Sequence, residues 1–150
     1  MPTILLRARR AAAEKFSLIA AKYTPADVQV SFRRNLTGCA WAQSRKICVP
    51  RPRTRRALHI YLHEIAHVVL AHVHSKPEYL QEYEAELWAF AVMRAEGIEI
   101  PAKSLERAAN YVRYLIHEAE KHGVTVNYAE VDFDKFLPSS YSQQPLQRAA

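Results

Sequence analysis

The sequence predicts an α+β fold in which a small β-sheet of about three strands packs on several helices. Three observations support this: an Ala-rich start with helical spacing, short strand-like runs between residues 28 and 49, and helical periodicity from residue 54 onward. A chain of 150 residues, 49% hydrophobic and 24% charged, can bury a core as a single globular domain. We expect residues 1–138 to form that domain and residues 139–150 to be a flexible tail.

The first half of the chain predicts one helix followed by three strands. Residues 5–23 form an amphipathic pattern that Pro25 closes. Residues 28–32 alternate apolar and polar side chains, which is typical of a half-buried strand. Residues 35–38 supply turn formers, and residues 39–42 and 46–49 follow as two further short strands before Pro50.

The second half predicts three helices. Thr54 is a suitable N-cap for a helix that continues to about residue 74. Ser75 and Glu78 have the spacing of a capping box, so a new helix is expected there, ending at Gly97. A last helix is expected over residues 104–122, closed by Gly123.

Composition limits the classes of protein that remain. No apolar run approaches the roughly 20 residues of a membrane helix, and the first residues do not follow the order of a secretory signal. We therefore expect a cytoplasmic protein with no membrane partner. Two cysteines are too few for a disulfide scaffold. Cys39 and Cys48 could face each other across a hairpin, although two half-buried thiols are the expectation in a reducing compartment.

Positive charge is concentrated in the first 60 residues. They contain 13 Lys or Arg but two acids, within a net charge of +6 for the whole chain. Such a cluster attracts phosphates or acidic partners, and it can equally be a solvated loop, since no aromatic residue interrupts the run. The candidate patch for nucleic acid or an acidic partner consists of Arg45, Lys46, Arg51, Arg53, Arg55 and Arg56.

The sequence HEIAH, from His63 to His67, carries the clearest chemical signal. Residues i and i+4 share one helix face, so two imidazoles can converge on one Zn²⁺ ion. Glu64 lies beside that face, where it can take a proton from a water activated by the metal. The alternative is a helix whose histidines are surface or satisfied core groups. The apolar neighbours indicate a buried helix, in which two histidines and a glutamate are costly without a metal or partners.

A catalytic zinc ion usually has three protein ligands, so a third is needed. The HExxHxxGxxH pattern is excluded because Val73 stands at the last position. In the next helix, an apolar stripe through Leu80, Tyr83 and Leu87 includes Glu84, whereas the carboxylates of Glu78, Glu82 and Glu86 form a row on the other side. A lone carboxylate within an apolar stripe needs a cation, which predicts Glu84 as the third ligand.

These residues carry a family resemblance. HEIAH followed by EYEAELWA (residues 82–89) resembles the ImmA/IrrE-type metallopeptidases, which pair HExxH with a downstream ExEA helix. The resemblance covers about residues 28–95 and includes a turn glycine, Gly38. It implies a zincin-like, gluzincin-like domain with one zinc ion, Glu84 as third ligand, and a repressor or other regulatory protein of a mobile element or stress response as substrate.

The chain also departs from that pattern. Trp88 and Glu86 replace commoner residues, the usual Leu-Met-Pro ending of the helix is absent, and 150 residues leave no room for a helix-turn-helix domain. SprT-like proteases and antirestriction ArdC-like proteins share the HExxH helix. The alternative function is therefore a DNA-associated, zinc-binding regulatory module with little or no protease activity, recruited through the basic N-terminal half.

Further side chains are candidates for secondary roles. His59 extends the histidine series by one turn and is expected to support or pack against the site, because three histidines at this spacing cannot all reach one ion. His72, His74 and Tyr83 are candidates for stabilising the tetrahedral intermediate or for supporting the ligands. The leading hypothesis is a zinc endopeptidase whose protein substrate lies extended along an edge strand of the small sheet.

Overall fold

The computed structural model describes residues 3–137, and the predicted tail lies outside that range. The chain divides into two compact units, Met1–Val73 and His74–Ala150. The α+β class and the three-stranded sheet are confirmed. The single-domain assignment stays a prediction. No helix of the described residues is long and apolar enough to cross a membrane.

The first unit begins with α1 (Ile4–Tyr23), whose C-terminal half packs on α2 (Arg55–Val69). Ile19 and Ala20 are buried, whereas the first turns of α1 are exposed. The Thr24 hydroxyl donates to the Ala20 carbonyl at 2.6 Å and shares a 2.8 Å hydrogen bond with the Tyr61 hydroxyl of α2. The end of α1 is therefore fixed to α2 by a polar contact as well as by apolar packing.

Three short strands form the sheet of the first unit: β1 (Gln29–Arg33), β2 (Cys39–Trp41) and β3 (Lys46–Pro50). The spatial order is β1-β3-β2, with β1 parallel and β2 antiparallel to β3. Both β1 and β2 are therefore edge strands. Ile47 and Val49 of the central strand are buried and pack toward α2, which contacts both β3 and β2.

Helix α2 begins as the sequence predicts and ends earlier. The Thr54 hydroxyl accepts the Ala57 N–H at 3.2 Å, which is the predicted N-cap. The sequence predicts a helix to residue 74, but α2 ends at Val69. The chain leaves it through Ala71, which has a φ of 52°. Alanine rarely adopts this left-handed conformation, so the sequence carries no signal for the break.

The second unit consists of α3 (Glu78–Ala95), α4 (Ala102–Lys121) and two short 3-10 helices, Tyr128–Glu130 and Phe133–Phe136. The predicted capping box is wrong: Pro77 is the N-cap of α3 and no side chain caps it. Gly97 and Gly123 end α3 and α4 with φ values of 69° and 77°, as their C-terminal positions predict. Helix α4 packs on α3 and on the second 3-10 helix.

Candidate metal centre in the first unit

The two histidines of the HEIAH motif meet on one face of α2. The Nε2 atoms of His63 and His67 are 3.1 Å apart, and their rings are edge-to-face with centroids 4.9 Å apart. Both side chains are half-buried. The i, i+4 spacing therefore does what the sequence predicts: it points two imidazole nitrogens at the same small volume.

The end of α2 adds a third imidazole to this pair. The His72 N–H donates to the His67 carbonyl at 3.0 Å and the Ala71 N–H donates to the Val68 carbonyl at 3.2 Å, which is the bond pattern of a Schellman motif. This turn folds His72 back onto the helix, where its Nδ1 lies 2.7 Å from the Nδ1 of His67. His72 is 5% exposed. The left-handed Ala71 is thus the residue that carries His72 to the pair.

His59 lies one turn before His63. Its ring is edge-to-face to that of His63, with centroids 6.5 Å apart, and it is half-buried. The His59 ring therefore contacts the His63 ring, and a supporting role for His59 stays a prediction.

Glu64 is buried, with 9% of its surface exposed, and it lies against the turn that precedes β2. A Cβ atom built on Gly38 would come within 2.6 Å of both Cγ and Oε1 of Glu64. Any side chain at residue 38 would therefore displace the carboxylate. The turn glycine of the family resemblance has a physical role here: the absence of its side chain makes room for Glu64.

The two cysteines also lie in this region. Cys39 and Cys48 are opposite each other in the β2–β3 ladder, and both are free, half-buried thiols. Burial raises the pKa of the Cys39 thiol above its usual 9.0, Arg33 lowers it, and Cys48 and Glu64 raise it further.

The predicted third ligand, Glu84, belongs to α3 in the second unit. Its Oε2 accepts from Lys76 Nζ at 2.5 Å, and its side chain is 30% exposed. The argument that Glu84 lacks a cation is therefore wrong, because Lys76 supplies one. The predicted acidic row is also wrong, since Glu86 is buried at 8% exposure while Glu82 is half-buried. The buried face of α3 is rotated relative to the stripe inferred from the sequence.

Two further candidates in the second unit have other surroundings. Tyr83 is buried, and its hydroxyl accepts the Asp132 N–H at 3.1 Å and contacts the Asp132 carbonyl at 3.4 Å. Its ring packs edge-to-face on Phe136, with centroids 5.8 Å apart. This hydroxyl therefore holds the backbone at Asp132 against α3. His74 is exposed, in a turn before α3.

The residues of the candidate basic patch lie at opposite ends of β3. Arg45 and Lys46 lie at the start of β3, and the Arg45 guanidinium is paired with Asp27. Arg51 and the exposed residues Arg53, Arg55 and Arg56 follow the other end of that strand. Because β1 and β3 are parallel, Arg33 and Arg34 at the end of β1 lie beside Arg51. These two arginines are far from the basic run in the sequence and were not part of the predicted patch.

Comparisons of the chain with models of protein families, with characterised proteins and with solved structures found no match.

Proposed function

We propose that the protein is a zinc-dependent metallopeptidase in which His63 and His67 bind the metal and Glu64 acts as general base. The observation that carries the proposal is the 3.1 Å separation of the two Nε2 atoms. Two imidazoles bound tetrahedrally at the usual Zn–N distance have nitrogens about 3.3 Å apart. The pair therefore fits one zinc ion with little adjustment.

A hydrogen-bonded chain without metal is the competing explanation. His63 could donate to His67 through their Nε2 atoms, and His67 to His72 through their Nδ1 atoms. One feature favours the metal: the Glu64 carboxylate directly follows the first histidine, which completes the HExxH pattern. With or without a metal, His72 has the same effect on His67. By accepting the Nδ1 proton it leaves the Nε2 lone pair available to a metal.

When bound, zinc would supply a Lewis acid that polarises a substrate carbonyl and lowers the pKa of water. Glu64 would take the proton from the attacking water and pass it to the leaving amine. Its position against Gly38 supports this role, because the carboxylate is held by a turn of the backbone. The same contact supports β2 as the strand that pairs with the substrate, since Gly38 directly precedes that edge strand.

For the third ligand we propose a carboxylate of α3. Glu84 is the residue that the ExEA pattern selects, and Lys76 would have to release it. Glu82, the other acid of the ExEA pattern, is the second candidate. Zinc affinity measured by competition with a chelating dye distinguishes them. Loss of a residue that only supports a ligand weakens zinc binding by up to roughly 100-fold. Removal of the true third ligand, by Glu84→Gln or by Glu82→Gln, should weaken zinc binding by more than that. Glu78→Gln, on an exposed residue of the same helix, is the matched control.

The peptidase activity is tested with the zinc-loaded chain and a library of unstructured peptides, with products identified by mass spectrometry. The wild type should cleave peptides, and Glu64→Gln should bind zinc normally but cleave about 10²–10⁴-fold more slowly. Glu14→Gln, on an exposed glutamate of α1, should behave as the wild type. Absence of cleavage by the wild type, or equal cleavage by Glu64→Gln, would contradict the proposed activity.

The substrate class rests on the motif resemblance. It implies a regulatory protein, such as a DNA-binding repressor of a mobile element or stress response, as the natural substrate. A repressor encoded by a neighbouring gene, cleaved by the wild type and left intact by Glu64→Gln, would support this part of the proposal. A neighbouring repressor that stays intact would count against it.

A further inference from the structure

The carboxyl ends of the parallel strands β1 and β3 form a groove in the first unit. It has a volume of about 450 Å³, and Phe32, Arg33, Arg34 and Arg51 are among its lining residues. A second groove of about 280 Å³ lies beside it: Phe32 and Arg51 line both grooves, and Arg53 lines the second. Four arginines therefore line two adjacent grooves.

The acids of the first unit do not offset the charge of this region. Residues 1–73 contain 13 Lys or Arg and three acids, all three within the described part of the chain. Glu14 pairs with Arg10 on α1, Asp27 pairs with Arg45, and Glu64 lies against Gly38. None of these three carboxylates lines either groove. The lining residues of the two grooves therefore carry a positive charge that attracts polyanions.

The structure also supplies the aromatic residue that the basic run lacks. Phe32 is 44% exposed, and the Arg51 guanidinium lies over its ring, with Cζ 4.4 Å from the centroid. Planar guanidinium groups bind phosphate in a bidentate manner and stack on rings, and exposed aromatic faces stack with unpaired bases. Lysine, which lacks both properties, lines neither groove.

We propose that these two adjacent grooves bind single-stranded nucleic acid, with the arginines on the phosphates and the Phe32–Arg51 pair stacking with a base. An acidic peptide would use the charges but not the stacking pair. Duplex DNA would also use the charges but not the stacking pair, because its bases are already stacked on one another. The inference does not depend on the zinc site, and either can fail without the other.

The test is fluorescence anisotropy of the full chain with labelled oligothymidylate of about 20 nucleotides, longer than the roughly 4–16 nucleotides of one such site. The groove variant combines three substitutions of exposed side chains: Arg34→Gln, Arg51→Gln and Arg53→Gln. The slope of log K against log salt should become less negative by about 2, because three cationic groups near the phosphates are removed. Phe32→Ala should weaken single-strand binding about tenfold and leave duplex binding unchanged.

The matched control removes the same charge from the exposed start of α1, through Arg7→Gln, Arg9→Gln and Arg10→Gln. These residues lie about 15 Å along the helix from the turn that lines the second groove. The control should bind as the wild type. The proposal is overturned if the wild type does not bind, if the control loses as much affinity as the groove variant, or if duplex DNA or polyglutamate binds as tightly as the single strand.

Discussion

The substitution Gly38→Ala tests how much the position of the Glu64 carboxylate contributes to the cleavage rate. The new Cβ would be 2.6 Å from both Cγ and Oε1 of Glu64 and 2.9 Å from Cδ. Carbon atoms normally approach to about 3.5 Å, so the carboxylate has to move by about 1 Å. A shift of this size in a catalytic group costs about 100-fold in rate. Because Glu64 is buried, the overpacking also costs about 1–3 kcal/mol of stability.

The assay is peptide cleavage by the zinc-loaded variants, with zinc affinity measured in parallel. Gly38→Ala should lower the cleavage rate about 100-fold and leave the zinc affinity unchanged. In a Glu64→Gln background the same substitution should cost almost nothing, since the group that it displaces no longer acts as a base. An equal loss in both backgrounds, or a loss of zinc, would refute this reasoning.

Gly123→Ala is the control for a general effect of replacing glycine. Residue 123 has a φ of 77°, and a Cβ atom added there would meet nothing within 4 Å. The variant should lose about 1–2 kcal/mol of stability from the left-handed backbone, with no change in cleavage rate.

Three further predictions concern the surroundings of the site. His72→Ala should weaken zinc binding about 10–100-fold in a dye-competition titration, because His67 loses the partner of its Nδ1; unchanged affinity would contradict that role. Ala71→Gly should raise the free energy of unfolding by about 1 kcal/mol in urea, by relieving a left-handed alanine, and a decrease would show that the residue is not strained. The alkylation rate of Cys39 should rise with pH with a midpoint above pH 9.0, because burial raises the pKa of its thiol and only the thiolate reacts. Mass spectrometry separates the Cys39 peptide from that of Cys48. A midpoint below pH 9.0 would contradict the stated cause.

Local patterns predict most of the secondary structure. The strands lie within a residue or two of their expected positions, and Thr54 caps α2 as its hydroxyl chemistry suggests. The two glycines that end α3 and α4 also behave as predicted. In each case the signal is contained in a few consecutive residues, either the period of the side chains or the preference of one residue for one conformation.

Features that depend on tertiary contacts or on an unfavoured backbone conformation could not be predicted. The sequence does not reveal that β1 pairs in parallel with β3, so it gives no sign that arginines gather at the two strand ends. The cation beside Glu84 comes from Lys76, across the start of α3, and the apolar stripe does not indicate it. The approach of His72 to His67 depends on a left-handed alanine, which no propensity favours. The HEIAH pair was predictable because i, i+4 geometry is local.

X-ray absorption spectroscopy of the zinc-loaded chain tests the proposed metal site most directly. We predict two imidazole nitrogens and one or more oxygens at about 2.0–2.2 Å from the metal, with no sulfur shell. His63→Ala combined with His67→Ala should abolish that spectrum. A sulfur shell at about 2.3 Å, which would place the metal on Cys39 and Cys48 instead, or a spectrum unchanged by the double substitution, would contradict the assignment of His63 and His67 as zinc ligands.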